Sequence, residues 1–327
     1  MANGTTLTAT ILGKMTGLLR AANSSSNSLL NTAAHYDISN DMFAAFLSED
    51  MTYSCPIWLP KSDPRAATET LESAQERKLD YMIDHAKLKG DDHVLEIGTG
   101  WGSFAIRAVQ RTGCRVTSLT LSIEQKKLAE KFIHDAGLTD RIKVLLCDYR
   151  ELPAPRSRYD KVVSIEMLEA VGPEYLKTYF ECIDRYLKPD GIAVFQCITM
   201  PEGRYDGYRK GEDFIRRYIF PGGHLPTVTQ LVSEIYNGTN GRLIVDEVLN
   251  IGAHYARTLR CWNEMFLENF ECRVRPALLE SHPGMSDASV DLFKRKWQVS
   301  YTRNSKPPKK CTDIRSTTSH TAKLALP

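Results

Sequence analysis

A chain of 327 residues, 42% hydrophobic and 25% charged, can bury the core of one large α/β domain or two small ones, which excludes a disordered protein. Its formal net charge of +2 is too near neutral to argue for nucleic acid as a partner. No apolar run approaches the ~18 residues of a membrane span, and no secretory signal is read.

Residues 1–36 contain no Asp or Glu and only two basic residues, Lys14 and Arg20. Leu7, Ile11, Leu12, Met15, Leu18 and Leu19 recur at helical spacing. Segment 1–34 therefore reads as an amphipathic or flexible stretch. It packs on the domain or touches a membrane surface, or it is a cleaved mitochondrial-type transit segment, or it is a frayed, truncated remnant. From His35 to about residue 300 the texture is globular. HVLEIG is followed by a helix over 103–112, CRVTSLTLS by a helix over 123–137, and IKVLLCD by YDKVVSIEM. A helix over 173–187 and GIAVFQCIT come next. Repeated βα units with short connections predict a mostly parallel sheet with helices on both faces. Residues 200–241 interrupt the alternation with RYDGYRKGEDFIRRYIFPGG, long enough for a helical lid over the C-terminal ends of the strands, before RLIVDEVLNIG resumes it. Residues 301–327 hold six Lys/Arg against one acid, Asp313, and read as a basic disordered tail.

The eight cysteines are scattered, with no C-x-x-C pair and no Cys/His grouping of a metal site, so a reduced, cytoplasmic protein without a metal is expected. The loop VLEIGTGWGSFAI (94–106) places glycines at 98, 100 and 102 between strand and helix, where a ligand can approach the backbone. The nicotinamide fingerprint fails, because Ser103 stands where its third glycine belongs and no acid occurs from Ser103 to Ile123. The G-K-[ST] of a P-loop is missing too.

The form E-x-G-x-G-x-G at 96–102 is similar to the first motif of class I S-adenosylmethionine-dependent methyltransferases, whose ligand carries no phosphate. HYDISNDMF (35–43), MTYSCPIW (51–58), LESAQERKL (71–79), LTLSIEQ (119–125), CDYRELP (147–153), EMLEAVGPEY (166–175), YIFPGGHLP (218–226) and NIGAHYARTLRCW (250–262) accompany it in order. Together they resemble the catalytic domain of cyclopropane-fatty-acyl-phospholipid synthases and mycolic acid cyclopropane synthases, over roughly 34–297. EMLEAVG and the long insertion look most like the plant-type members. The resemblance implies a Rossmann-like α/β fold and transfer of a methylene carbon from S-adenosylmethionine to the cis double bond of an unsaturated phospholipid acyl chain. The enzyme would be peripheral to the membrane; a homodimer is left open.

A cis alkene is a poor nucleophile. Its alkylation leaves a carbocation, and the added methyl must then lose a proton. The site must be dry, negative near the cation and equipped with a base. The resemblance implies bound bicarbonate as that base, held by Cys55, Glu169, Gln196, Ile198 and Tyr255. Cys55 and Ile198 would offer backbone N–H groups, Tyr255 its hydroxyl, and Glu169 an acceptor for the anion's own O–H. For the methyl donor it points to Tyr53, Ser54, Gly98, Gly100, Thr120, Leu121 and Gln125, with Trp101 packed nearby. Glu96 would order the methionine end and Asp148 would read the adenine. Gln196 departs from the histidine of the bacterial members, and Ala170 replaces the histidine beside Glu169.

The text after LFKRKWQ (292–298) departs further, with neither the family's Tyr- and Cys-containing helix nor its Q-V-V-F strand. The final antiparallel strand is therefore expected to be missing, as if an intron had been read through. Two other readings stand beside cyclopropanation. One is C-methylation giving a methyl-branched lipid, sphingolipid or specialised-metabolite chain. The other is a non-catalytic protein that binds donor or lipid.

Overall fold

The computed structural model describes residues 40–153, 157–211, 213–220, 222–304 and 318–325. The 1–34 segment, with its membrane and targeting readings, lies outside them. Seven strands form one sheet: β1 (His93–Ile97), β2 (Arg115–Thr120), β3 (Ile142–Leu146), β4 (Tyr159–Ile165), β5 (Leu187–Thr199), β6 (Ile244–Asn250) and β7 (Thr318–Ala325). Their order is β3-β2-β1-β4-β5-β7-β6. The first five run parallel, and β7 lies antiparallel between β5 and β6. This is the expected mostly parallel sheet.

Helices cover both faces. On one face α2 (Leu71–His85), α3 (Ser103–Thr112) and α4 (Ile123–Asp135) pack Met82, Phe104, Ala108 and Ile133 onto Val94, Val116, Val163 and Val194. On the other, α5 (Leu176–Tyr186) and α8 (Val228–Thr239) pack Leu176, Tyr179, Phe180, Ile183, Leu231 and Ile235 onto Leu95, Val162 and Phe195. The α5 positions fall at i, i+3, i+4 and i+7, one face of a helix, and each full burial contributes roughly 1.5–3 kcal/mol before entropy is counted. Local chemistry sets the helix starts. Thr70, Ser122 and Thr227 each accept the backbone N–H three residues on, at the heads of α2, α4 and α8. A third core lies beyond the sheet. There α1 (Asn40–Ala44), α9 (Gly252–Glu268), α10 (Arg275–Ser281) and α11 (Asp287–Asn304) gather Phe43, Phe46, Trp262, Phe266, Trp297 and Tyr301. The expected lid contains α6 (Glu202–Lys210), α7 (Phe214–Tyr218) and α8.

The chain's end corrects the sequence reading. The strand expected to be missing is present: Thr318–Ala325 pairs from Thr199↔Thr318 to Ile192↔Ala325 on β5 and from Asn250↔His320 to Ile244↔Ala325 on β6. Residues 301–327 are thus not a tail throughout. Pairing needs only an extended backbone between two open edges, not the family's side-chain text. The helix before it also continues past Gln298, and Tyr301 packs 5.7 Å from Phe46 and 5.8 Å from Phe266, ring centre to ring centre.

Candidate active site

A cavity of about 1000 Å³ opens at the C-terminal ends of β1, β2 and β4. Its floor is the loop after β1. There Gly98, Gly100 and Gly102 take φ of 101°, 52° and 94°, left-handed values that side chains rarely adopt. A Cβ on Gly98 would lie 3.2 Å from the Met167 Cβ; one on Gly100 would meet nothing within 4 Å. The second glycine is therefore bare backbone facing room for a ligand. Every residue expected to hold the methyl donor lines this cavity: Tyr53, Ser54, Glu96, Gly98, Gly100, Trp101, Thr120, Leu121, Gln125 and Asp148. The Thr120 hydroxyl donates to Gln125 Oε1 at 2.8 Å. Trp101 donates to Asn40 Oδ1 at 2.8 Å and packs 5.1 Å from the Phe43 ring. Asp148 is already held by Arg150, through bonds of 2.8 and 2.6 Å. Glu96 is buried and accepts the Ser118 hydroxyl; burial pushes its carboxyl up to about 8. A buried acid beside bare glycine backbone suits the amino-acid end of S-adenosylmethionine, so the residues present fit that group.

The far end of the cavity holds two carboxylates, Glu166 and Glu169. Glu169 lies on the short 3-10 turn Leu168–Ala170. Its Oε1 accepts the Ile198 N–H; Oε2 is buried and takes no hydrogen bond from a described N–H or O–H group. Glu166 is the first residue past β4, with φ 47°, a strained value for a residue with a side chain. Its Oε1 accepts the Cys55 N–H at 2.9 Å and the Gln196 Nε2–H at 2.9 Å, and its Oε2 accepts the Tyr255 hydroxyl at 3.3 Å. Gln196 also donates to the Cys55 carbonyl at 3.0 Å. Burial pushes both carboxyls above their ordinary range. The Glu166 charge adds to the rise at Glu169, while the Cys55, Gln196 and Tyr255 bonds and the Lys78 charge oppose it at Glu166. The charge on one buried carboxyl disfavours ionisation of the other.

All five residues that the resemblance assigns to bicarbonate come together here, but three of the four donors among them meet a carboxylate outside that set, Glu166. Cys55, Gln196 and Tyr255 direct their donors to Glu166, and Ile198 directs its own to Glu169. An additional anion does not fit this donor set. The Cys55 thiol is pushed well up by burial and then by the Glu166 charge, so its contribution is the backbone N–H.

Two functional candidates escaped the sequence reading. Glu166 was visible only as the first acid of EMLE. Lys78, inside LESAQERKL, is 1% exposed and donates to Ser54 Oγ at 2.7 Å. Burial pushes its ammonium down to about 8, against the pull of Glu166, Asp50, Cys55 and Glu96. Apolar and aromatic groups complete the wall: Met51, Leu259, Ile219, Phe220 and Trp262. Tyr53 lies 5.2 Å and Tyr255 6.2 Å from Trp262, ring to ring. Among the lid cations, Arg209 pairs with Asp206, and Arg216 with Asp213.

Comparison with known proteins places the chain in a family. Residues 23–277 match the model of the mycolic acid cyclopropane synthetase family. Tuberculostearic acid methyltransferase UfaA1 of Mycobacterium tuberculosis is 42% identical over 270 residues, covering 82% of this chain and 59% of that one. Cyclopropane-fatty-acyl-phospholipid synthase of Escherichia coli is 36% identical over 261 residues, covering 80% and 59%. The chain thus spans somewhat under two thirds of the length of these curated relatives. Among solved structures, the cyclopropane synthase MmaA2 from M. tuberculosis superposes with a TM-score of 0.74 at 24% identity, covering 91% of this chain and 98% of that one, which supports the fold. This chain belongs to the mycolic acid cyclopropane synthetase family.

Proposed function

We propose that the protein alkylates the cis double bond of an unsaturated phospholipid acyl chain with the methyl carbon of S-adenosylmethionine, then removes one proton from the added carbon to close a cyclopropane. One observation carries this reading: a single cavity runs from the glycine loop and Glu96 to a buried carboxylate pair, under an apolar and aromatic wall. The glycine loop and Glu96 would seat the donor, which supplies an electrophilic methyl. The apolar wall would hold the hydrocarbon chain and exclude water that would trap a cation. The faces of Tyr53, Tyr255 and Trp262 and the negative charge near Glu166 would stabilise that cation. The acyl chain would be drawn from a membrane surface; none of the described helices is long and apolar enough to cross a membrane.

A methylene or methyl-branched product is the second reading, favoured by the name of the relative at 42% identity. A methylene product shares alkylation and loss of a proton from the added carbon, whereas a saturated methyl branch would need a further hydride from a separate reductant. The test is incubation with donor labelled CD3 and vesicles of cis-unsaturated phospholipid, followed by mass spectrometry and NMR of the released chains. The expected chain has gained CD2 and lost its double bond, with high-field cyclopropane signals. Olefinic methylene signals would select the second reading. Label found on a headgroup, or no label on any lipid, would overturn both.

A further inference from the structure

Of the four donors that the resemblance assigns to a diffusible anion, three are already satisfied by one side chain of this protein, and the fourth, the Ile198 N–H, is satisfied by Glu169. Glu166 Oε1 takes the Cys55 N–H and the Gln196 amide, each at 2.9 Å, and Oε2 takes the Tyr255 hydroxyl at 3.3 Å. Cys55 and Gln196 do not line the cavity, whereas Glu166, Glu169, Ile198 and Tyr255 do. The Glu166 carboxylate thus stands between those two donors and the reacting space. A carboxylate and bicarbonate present the same planar pair of oxygens. A second anion placed against Glu166, beside Glu169, would add like charge in a buried site. The backbone at Glu166 is turned to φ 47°, and its N–H is fixed on the Gln196 carbonyl at 2.7 Å. A non-glycine residue held in that conformation next to reacting groups fits a functional constraint better than a packing one.

We propose that Glu166 is the base of the reaction, its own carboxylate replacing bound bicarbonate. This rests on the alkylation reading given under Proposed function. The alkene electron pair forms the new bond to the methyl carbon as the carbon–sulfur bond breaks, and its electrons stay on the now neutral sulfur. A cation is left on the chain. Glu166 takes a proton from the added methyl, and the C–H electron pair closes the ring or forms the methylene. Protonated Glu166 then returns its proton to solvent. Glu169 and Tyr255 are the groups beside it through which that proton can leave. No external co-reactant is needed beyond donor and lipid.

The test pairs a binding measurement with turnover. In Glu166→Gly the backbone φ becomes easy and the three donors are released, so the variant should fold and bind an anion. Glu166→Gln keeps the shape without the charge. Carbon-13 bicarbonate line broadening should show no saturable binding to the full-length wild type or to the Gln variant, and saturable binding to the Gly variant. Wild-type turnover should be unchanged in bicarbonate-free buffer. The Gly and Gln variants should lose about 100-fold or more, and added bicarbonate should restore part of the loss only in the Gly variant. Saturable bicarbonate binding by the wild type, turnover that needs bicarbonate, or a fully active Gln variant would each overturn the proposal. If the Gly variant does not fold, the wild-type binding result and the Gln variant still decide it. A wild type inactive on every cis-alkene lipid, with the binding pattern intact, would overturn the reaction assigned above while supporting Glu166 as occupant of the anion site.

Discussion

Replacing Glu96 by Gln should stabilise the ligand-free protein above neutral pH and weaken its hold on the methyl donor. Glu96 is 3% exposed at the end of β1, and burial lifts its carboxyl from 4.5 to about 8, with Ser118 and Lys78 pulling back. Between those two values the folded chain keeps a proton that the unfolded chain has released. Folding stability therefore falls as pH rises from 4.5 to about 8, and the full penalty persists above that. At ~1.4 kcal/mol per pH unit the penalty reaches about 5 kcal/mol, of which roughly half should return in the variant, since a buried amide has its own desolvation cost. At ~2 °C per kcal/mol for a long domain, the variant should melt about 5 °C above wild type near pH 8.5, with the gap closing at about pH 6 and reversing below it. Glu169 gives the wild type a slope of the same sign, so the diagnostic is the difference between the two proteins at each pH. Calorimetry with S-adenosylhomocysteine supplies the second arm. Wild-type affinity should rise with pH towards 8, because the ligand's ammonium needs an ionised partner, and the Gln variant should bind more weakly and without that slope. A variant that melts below wild type at high pH, or that binds with an unchanged pH profile, would refute the reasoning.

Tyr255→Phe should lower kcat about tenfold with little change in KM, because it removes the longest of the three bonds to Glu166 and a hydrogen bond to a charged group is worth ~1.5–3 kcal/mol; steady-state kinetics on lipid vesicles would check this. Gly98→Ala should cost about 1–3 kcal/mol, since an alanine at φ 101° is strained and its Cβ would sit 3.2 Å from Met167; thermal melts and S-adenosylhomocysteine binding should both show the loss. Ending the chain after Asn304 removes the strand that pairs with both β5 and β6; the truncated protein should lose roughly half or more of a stability of ~5–15 kcal/mol and aggregate through the two open edges, as read by urea unfolding and light scattering.

Much of the fold was legible because buried parallel strands leave continuous apolar text. HVLEI, RVTSLT and YDKVVSI stand out between helical periods, and the observed elements fall within a few residues of the expected ones. The glycine-loop wall of the cavity was legible for a similar reason, since close backbone approach demands glycine and leaves a spacing. The chain's end was not. TSHTAKLA carries little apolar signal, and it is a strand because two edges lie either side of it, a property of the fold rather than of the segment. Lys78 was also hidden: in QERK a lysine reads as a solvated helix face, and only the packing of α2 against Ser54 shows it buried. Glu166 was hidden by the turn. Two acids three residues apart give no sign of which carboxylate meets the donors, and that depended on a left-handed backbone at a residue that does not favour one.

Gln196 stands in the sequence where the bacterial members carry histidine, and an amide cannot shuttle a proton as an imidazole can; the geometry gives the exchange a further meaning. Its side-chain nitrogen uses both hydrogens, one on the Cys55 carbonyl and one on Glu166. An imidazole nitrogen carries one hydrogen and could make only one of those bonds. A base that arrives from solvent gains from a neighbour able to change charge with it. A carboxylate built into the chain gains from a rigid, neutral donor that fixes its plane and leaves its proton balance to Glu169 and Lys78. The amide at 196 and the acid at 166 are therefore two halves of one arrangement. Reverting Gln196 to histidine alone would either leave the Cys55 carbonyl without this donor, in a pocket where an unmatched buried polar group costs ~1–3 kcal/mol, or take from Glu166 one of its three donors.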